Sequence, residues 1–329
     1  MRVGIIGCGA VGKKRALALG DHKLTIAVDT SLPRAREVAS LKGCTSVSTD
    51  YHDALDDRSV DVVFISTTNE FLAKIALDAV TAGKHVLAEK PAGRNPDELV
   101  PVIRMAEKNQ VFVKVGFNHR YHPAFRKAKE LVDAGAIGPL MFVRGRYGHG
   151  GRIGYEKEWR ANPAKSGGGE LIDQGVHLID LSRWFLGDLS VAGGCARTYF
   201  WQMPVDDNAF LMLENREGKV AWLQVSCTEW KNLFSFEIYG KTGKLHIEGL
   251  GGSYGTERLA LYTMLPTMGP PETTIWEYPF PDNSWALEVE DFFRSIALQK
   301  EPDGSVTDAK KALDIVRAVY ENSNYPVKP

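Results

Sequence analysis

Short runs of β-branched and apolar residues, without polar alternation, recur through the first third of the chain: Val3–Ile6, Leu24–Val28, Val60–Ile65, His85–Ala88 and Val111–Val115. Between them lie stretches with helical periodicity: Lys13–Leu19, Pro33–Leu41, Phe71–Ala82 and Pro96–Lys108. Strands of this kind joined by crossover helices predict a parallel sheet covered on both faces. The pattern then changes. Helices are predicted around Pro123–Ala134 and Asp173–Leu186, and strands at Leu140–Tyr147, Cys195–Trp201, Ala209–Glu214, Val220–Thr228, Phe234–Tyr239 and Lys244–Glu248. Turn signals such as Glu217-Gly218 and Thr242-Gly243 suit an antiparallel sheet. Gly249–Gly255 reads as a surface loop, and helices at Trp285–Leu298 and Asp308–Asn322 close the chain. The expectation is two domains, 1–120 and 121–329, with the boundary near Asn118–Tyr121.

Several strands of the second region are apolar on both alternating sets: Phe210, Leu211, Met212 and Leu213, and Val220, Ala221, Trp222 and Leu223. A sheet with one face in water would alternate with polar residues, so something is expected to cover the second face. One candidate cover is the Gly249–Pro281 segment folded back over it.

Composition narrows the function classes. The 329 residues are 44% hydrophobic and 25% charged, as in an ordinary globular protein. A net charge of −1 supplies no field for nucleic acid or an anionic membrane, and no apolar run is long enough to span a bilayer. Met1 leads directly into a strand, so no secretory leader is expected. Four scattered cysteines (Cys8, Cys44, Cys195, Cys227) without CxxC spacing argue against a zinc site or a disulfide scaffold. They suit a reducing cytoplasm, and no metal is expected.

The turn after the first strand, Gly7-Cys8-Gly9-Ala10-Val11-Gly12, has GxGxxG spacing. Its glycines allow a tight turn, close backbone approach to a pyrophosphate and close helix packing, and the following helix N-terminus faces the phosphates. Asp29 ends the next strand, where a carboxylate accepts hydrogen bonds from a ribose and repels a 2′-phosphate. NAD is therefore favoured, with NADP as the alternative should Arg34 or Arg36 neutralise a phosphate. Lys90, between Glu89 and Pro91, follows a strand end at the carboxyl edge where such sheets bind ligands. Asp173 and His177 are spaced i, i+4, which on an α-helix puts them on one face, as a general base and its orienting acid require. An ordinary buried histidine reads equally well from the pair alone. Asp180 is a rival partner, expected to be the less buried acid. Arg144, Arg146, Arg152 and Arg160 make the start of the second region basic, suiting either a phosphorylated substrate or simple solvation.

Taken together, the segments Gly4–Gly9, Ala82–Leu87 running into Glu89-Lys90-Pro91, Gly116–Arg120 and Gly167–His177 resemble the glucose–fructose oxidoreductase/inositol dehydrogenase (Gfo/Idh/MocA) family over essentially the full length. The resemblance implies an α/β protein. An N-terminal Rossmann domain with a doubly wound parallel sheet would precede an α+β domain with a large open, mostly antiparallel sheet. It implies an NAD(P)-dependent dehydrogenase or reductase of sugars, inositols or nucleotide sugars. Lys90, Asp173 and His177 match the family's catalytic lysine and proton-transfer pair. Thr67, Thr68, Asn69, Glu89, Lys90 and Asn118 fall at the coenzyme, and His119, Arg120, Tyr121, Arg146, Trp159 and Arg160 at the substrate. A homodimer or homotetramer through the C-terminal sheet is implied as well. The family's Thr-Pro-Asn loop here reads Thr67-Thr68-Asn69, with Leu72 where a histidine is usual. Two other classes remain open: an NAD-dependent glycoside hydrolase and a non-catalytic, nucleotide-responsive regulator.

Overall fold

The computed structural model describes residues 1–325, which form two compact units. The first comprises Met1–Asn118, Ala164–Gly167 and Trp285–Leu313; the second comprises His119–Pro163, Gly168–Ser284 and the chain from Asp314 onward. A single cut at residue 120 omits the return of Trp285–Leu313 to the first unit.

In the first unit, β1 (Arg2–Ile6), β2 (Lys23–Val28), β3 (Val47–Ser48), β4 (Val62–Ile65), β5 (His85–Ala88) and β6 (Val113–Val115) alternate with α1 (Ala10–Leu17), α2 (Leu32–Ser40), α3 (His52–Asp56), α4 (Asn69–Thr81) and α5 (Leu99–Asn109). All strand pairs are parallel, in the order β3-β2-β1-β4-β5-β6. The order reverses beside β1, and ligands of such sheets bind in the crevice at the carboxyl ends of the strands flanking that point. Sequence reasoning passed over β3 and α3, whose two and five residues are too short to show a period. Val3, Ile5, Leu24, Phe64 and Leu87 pack with Val289, Phe292, Phe293 and Ile296, carried by a late helix. Complete burial of a side chain such as Phe292 contributes about 2 kcal/mol.

The second unit holds α6 (Pro123–Asp133), β7 (Leu140–Gly148) and α8 (Val176–Leu186); the short α7 (Pro163–Ser166), which precedes the glycine run, lies in the first unit from Ala164 onward. Then come β8 (Ser190–Arg197), β9 (Asn208–Glu214), β10 (Val220–Ser226), β11 (Leu233–Gly240), β12 (Gly243–Glu248), β13 (Glu257–Thr263) and β14 (Glu272–Tyr278). Of the remaining helices, α9 (Ser284–Ala297) belongs to the first unit from Trp285 onward, and α10 (Val306–Asn322) belongs to the first unit up to Leu313 and to the second from Asp314. The eight strands run β14-β13-β12-β11-β7-β10-β9-β8, antiparallel except for β7 beside β10. Helices α6 and α8 pack on one face.

Two expectations are corrected here. The strand expected at Cys195–Trp201 is β8, which begins at Ser190 and ends at Arg197. The aromatic run Tyr199–Trp201 that suggested it is a loop whose three N–H groups donate to the Asp207 carboxylate. Segment 249–281 does not fold back over the sheet. It contributes β13 and β14, which lengthen the sheet at its edge through β12. The outer face keeps an exposed apolar row, Phe142, Phe210, Met212 and Trp222, with Trp222 at 54%. On the same strands Val143, Leu211, Leu213, Ala221 and Leu223 are buried.

Candidate active site

The first unit supplies a dinucleotide cradle. Gly7, with φ +92°, donates its N–H to the Val28 carbonyl at 2.8 Å as the chain leaves β1. A Cβ on Gly12 would lie 2.1 Å from the Gly7 carbonyl oxygen, so only glycine lets α1 start against this turn. At Gly9, by contrast, a Cβ would meet nothing within 4 Å. Gly9 is the N-cap of α1 and provides no side-chain cap, leaving the first N–H groups of Ala10, Val11 and Gly12 to an outside acceptor. Asp29 is tied to the turn: its carboxylate accepts from the Cys8 and Ser31 N–H groups, each at 2.8 Å. Burial, and then the Asp29 charge, push the Cys8 thiol up to about 12, so it is an inert part of the turn. These residues fit NAD.

Thr68 is the N-cap of α4, and the buried Asn69 amide donates to the Ser166 carbonyl at 2.8 Å. Asn69 thus anchors Ala164–Gly167 within the first unit, as does Arg94, which donates to the Ala164 carbonyl at 2.7 Å. Thr67 is half-buried just ahead. Glu89 and Lys90 follow β5, with the Lys90–Pro91 bond cis. Asn118 is buried after β6.

In the second unit the glycine run enters a π-wound turn, Leu171–Gly175, before α8 begins. The expectation of one α-helix from Asp173 is corrected: Asp173 rides on the π turn and His177 on the α-helix. The Asp206 carboxylate holds this turn from below. It accepts from the Gly169 N–H at 2.8 Å, the Leu171 N–H at 2.7 Å and the Tyr320 hydroxyl at 2.7 Å. Burial pushes the Asp206 carboxyl up, against the pull of these donors. A Cβ on Gly169 would sit 1.9 Å from the Asp206 carbonyl oxygen.

His177 is buried, stacked on His119 at 3.8 Å between ring centres, with Tyr147 edge-on to His177 and tilted against His119. Asp173 accepts from Arg160 Nε at 3.0 Å, and Arg160 stacks on Trp159 at 4.7 Å. The Asp173 charge raises Arg160 further above its ordinary value. Behind this group the buried Glu170 faces His149 Nε2 at 3.6 Å. Burial raises the Glu170 carboxyl; it opposes charge on His149 too, but there Glu170 and Asp173 outweigh it and raise the imidazole.

Other expected residues go elsewhere. Asp180 is more buried than Asp173, not less, because it forms a two-bond pair with Arg120 at 2.8 and 2.6 Å. Arg120 is therefore engaged within its own unit. Tyr121 is buried beside it in sequence. Arg146 lies on the sheet's outer face, the opposite side from its neighbour Tyr147, facing Gln224 and Glu229. Nor do the four arginines form a basic patch: Arg144 pairs with Glu237, Arg146 with Glu229, Arg152 with Glu158 and Arg160 with Asp173. Asp206, Glu170, His149 and Tyr147 escaped the sequence reading, since none sits in a spacing that announces its partner. Among the described residues no group of three or more His, Cys, Asp or Glu side chains is arranged to hold a metal ion, and no helix is long and apolar enough to cross a membrane.

Residues 1–117 match the family model described as the oxidoreductase family with NAD-binding Rossmann fold, and residues 125–246 match that of the GFO/IDH/MocA C-terminal domain. Levoglucosan dehydrogenase of Pseudarthrobacter phenanthrenivorans is 25% identical over 98% of this chain and 96% of its own. The scyllo-inositol 2-dehydrogenase (NAD(+)) of Bacillus subtilis is 26% identical over 96% of this chain and 92% of its own. A levoglucosan dehydrogenase structure in complex with NADH and L-sorbose superposes with a TM-score of 0.89 at 24% identity, covering 98% of this chain and 96% of that one. That likeness speaks to the fold.

Proposed function

The chain belongs to the Gfo/Idh/MocA family of NAD-dependent oxidoreductases acting on CH–OH groups, and from that premise we propose that it oxidises, or forms by reduction, one secondary hydroxyl of a sugar, inositol or nucleotide sugar. The observation that carries the reading is the Asp206-held turn presenting Asp173 and His177, on a chain that also builds the glycine cradle. Gly7 to Gly12 would hold the pyrophosphate and Asp29 the ribose. NAD supplies the hydride acceptor when bound.

In the oxidative direction His177 takes the hydroxyl proton. Asp173 balances the imidazolium charge, and Arg160 holds the Asp173 carboxylate in orientation. Lys90 donates to the same oxygen and stabilises the negative charge that develops as the proton leaves. The stack on His119 and the edge of Tyr147 limit His177 to one ring orientation, so little reorganisation accompanies proton transfer. Relatives that act on levoglucosan and scyllo-inositol make cyclic polyols the first substrates to test.

Coenzyme choice follows from Asp29. Wild type is expected to bind NADH more tightly than NADPH, and Asp29→Ser to narrow the gap by removing repulsion of the 2′-phosphate. Fluorescence titration with both coenzymes measures this; a wild-type preference for NADPH rejects it.

A second copy of the chain is the proposed cover for the outer sheet face, giving a closed dimer or a tetramer of dimers. Support comes from the exposed row Phe142, Phe210, Met212 and Trp222, which no segment of the described chain covers. Light scattering at micromolar concentration is expected to give a multiple of the monomer mass, and Trp222→Glu to shift it towards monomer. A monomeric wild type would reject this assembly. None of the four cysteines is in a disulfide, which fits the proposed cytoplasmic location.

A further inference from the structure

The helix that carries the coenzyme cradle also carries a buried cation that the proposed chemistry does not use. Arg15 of α1 is wholly buried. Its Nε donates to Glu89 Oε1 at 2.7 Å, Nη2 lies 2.6 Å from the same oxygen, and Nη1 donates to Glu288 Oε2 at 2.6 Å. Glu288 belongs to α9 and its side chain is fully buried too. Trp285 covers the guanidinium from one side at 4.5 Å. Burial pushes the Glu288 carboxyl up, while Arg15 and then Lys114 pull it back. All of these residues lie in the first unit.

Glu89 immediately precedes Lys90. Its backbone is pinned as well: its N–H donates to the Ile65 carbonyl and its carbonyl accepts from the Ala92 N–H, each at 2.9 Å. With the Glu89 side chain also bonded to Arg15, the peptide that bears Lys90 is held on its Glu89 side. The clamp has been given space. A Cβ on Gly116 would fall 2.6 Å from Arg15 Nη2 and 3.0 Å from Glu89 Oε2, so that position is open only to glycine while the clamp is closed.

We propose that Arg15 is a positioning residue that fixes Lys90 through Glu89 and so ties its placement to the helix on which the coenzyme phosphates rest. The proposal rests on Lys90 acting at the reacting oxygen. Arg15 touches no reacting atom itself. Charge-assisted, two-point bonding of this sort carries direction as well as energy, which a lysine ammonium reproduces only in part.

The test uses the purified full-length chain, with the polyol giving the highest rate in a panel assayed with NAD. Arg15→Met is expected to lower kcat by about 10²-fold, the scale of a misplaced catalytic group, with KM for the polyol and NADH affinity little changed. Arg15→Lys recovers part of the loss, and Gly116→Ala reproduces it by crowding the clamp without altering any charge. In a Lys90→Ala background Arg15→Met has little further effect, because the group it places is gone. An independent readout needs no turnover: amine-reactive labelling of Lys90 in the coenzyme-free chain, followed by mass spectrometry, is faster in Arg15→Met than in wild type. If Arg15→Met does not fold, Arg15→Lys and Gly116→Ala carry the same comparisons. Equal losses in the wild-type and Lys90→Ala backgrounds would mean general structural damage and overturn the proposal, as would wild-type kcat and labelling in folded variants. Should Lys90→Ala itself turn over normally, the functional reading fails instead, and the labelling rates alone decide whether the clamp exists.

Discussion

Lys90→Ala and His177→Ala each lower turnover by about 10²–10⁴, the scale of a positioned proton-transfer group, while NADH binding survives. The two effects have different origins. Removing the His177 imidazole takes away the proton acceptor, so the loss is greatest near and below neutral pH and eases as hydroxide takes over. Removing the Lys90 ammonium takes away the donor to the developing alkoxide, and a higher pH does not compensate for that. Steady-state rates across pH, set beside NADH titrations, separate the two. Near-normal turnover in His177→Ala would reassign the proton route, with Lys90 the first candidate.

Gly169→Ala is expected to be the most damaging single methyl addition at the site. The new Cβ would stand 1.9 Å from the Asp206 carbonyl oxygen, a backbone atom that cannot swing aside. Relief requires the glycine run to lift off Asp206, which breaks the bonds from the Gly169 and Leu171 N–H groups to its carboxylate. A buried carboxylate left short of donors adds its own cost. Together these destabilise the fold by about 3 kcal/mol and lower Tm by about 5 °C or more. The π turn that orders Asp173 and His177 is lost in any molecules that do fold, so kcat falls alongside. Calorimetry and turnover on the same preparation check both; an unchanged Tm would show that the turn is not held as described.

The first sheet was legible because β1, β2, β4 and β5 are buried on both faces and therefore read as unbroken apolar runs. Edge strands gave no such signal. β14, almost entirely exposed, has nothing to alternate against, and β8 carries Gly193 and Gly194 where β-formers would have marked it. The aromatic run Tyr199–Trp201 imitated a strand because strand-like composition does not reveal that an aspartate will gather its N–H groups. At the site, Asp173 and His177 stood out by spacing, yet the i, i+4 rule presumes an α-helix and the turn is π-wound. Asp206 lies 37 residues from Gly169, and Glu288 lies 273 residues from Arg15. Contacts at such separations are created by the topology and leave no local pattern. Charge counting misled for the same reason: each arginine of the basic segment found an acid, Arg144 across strands in β11 and Arg146 in the loop after β10.

The most direct test is to incubate the enzyme with NAD and a panel of inositols, anhydrosugars, free sugars and nucleotide sugars, following absorbance of the reduced coenzyme and identifying the carbon product. At least one cyclic polyol is expected to be converted to the corresponding ketone, with one NADH formed for each molecule oxidised. Cleavage of a glycoside without net NADH, or tight coenzyme binding with no turnover on any member of the panel, would contradict it.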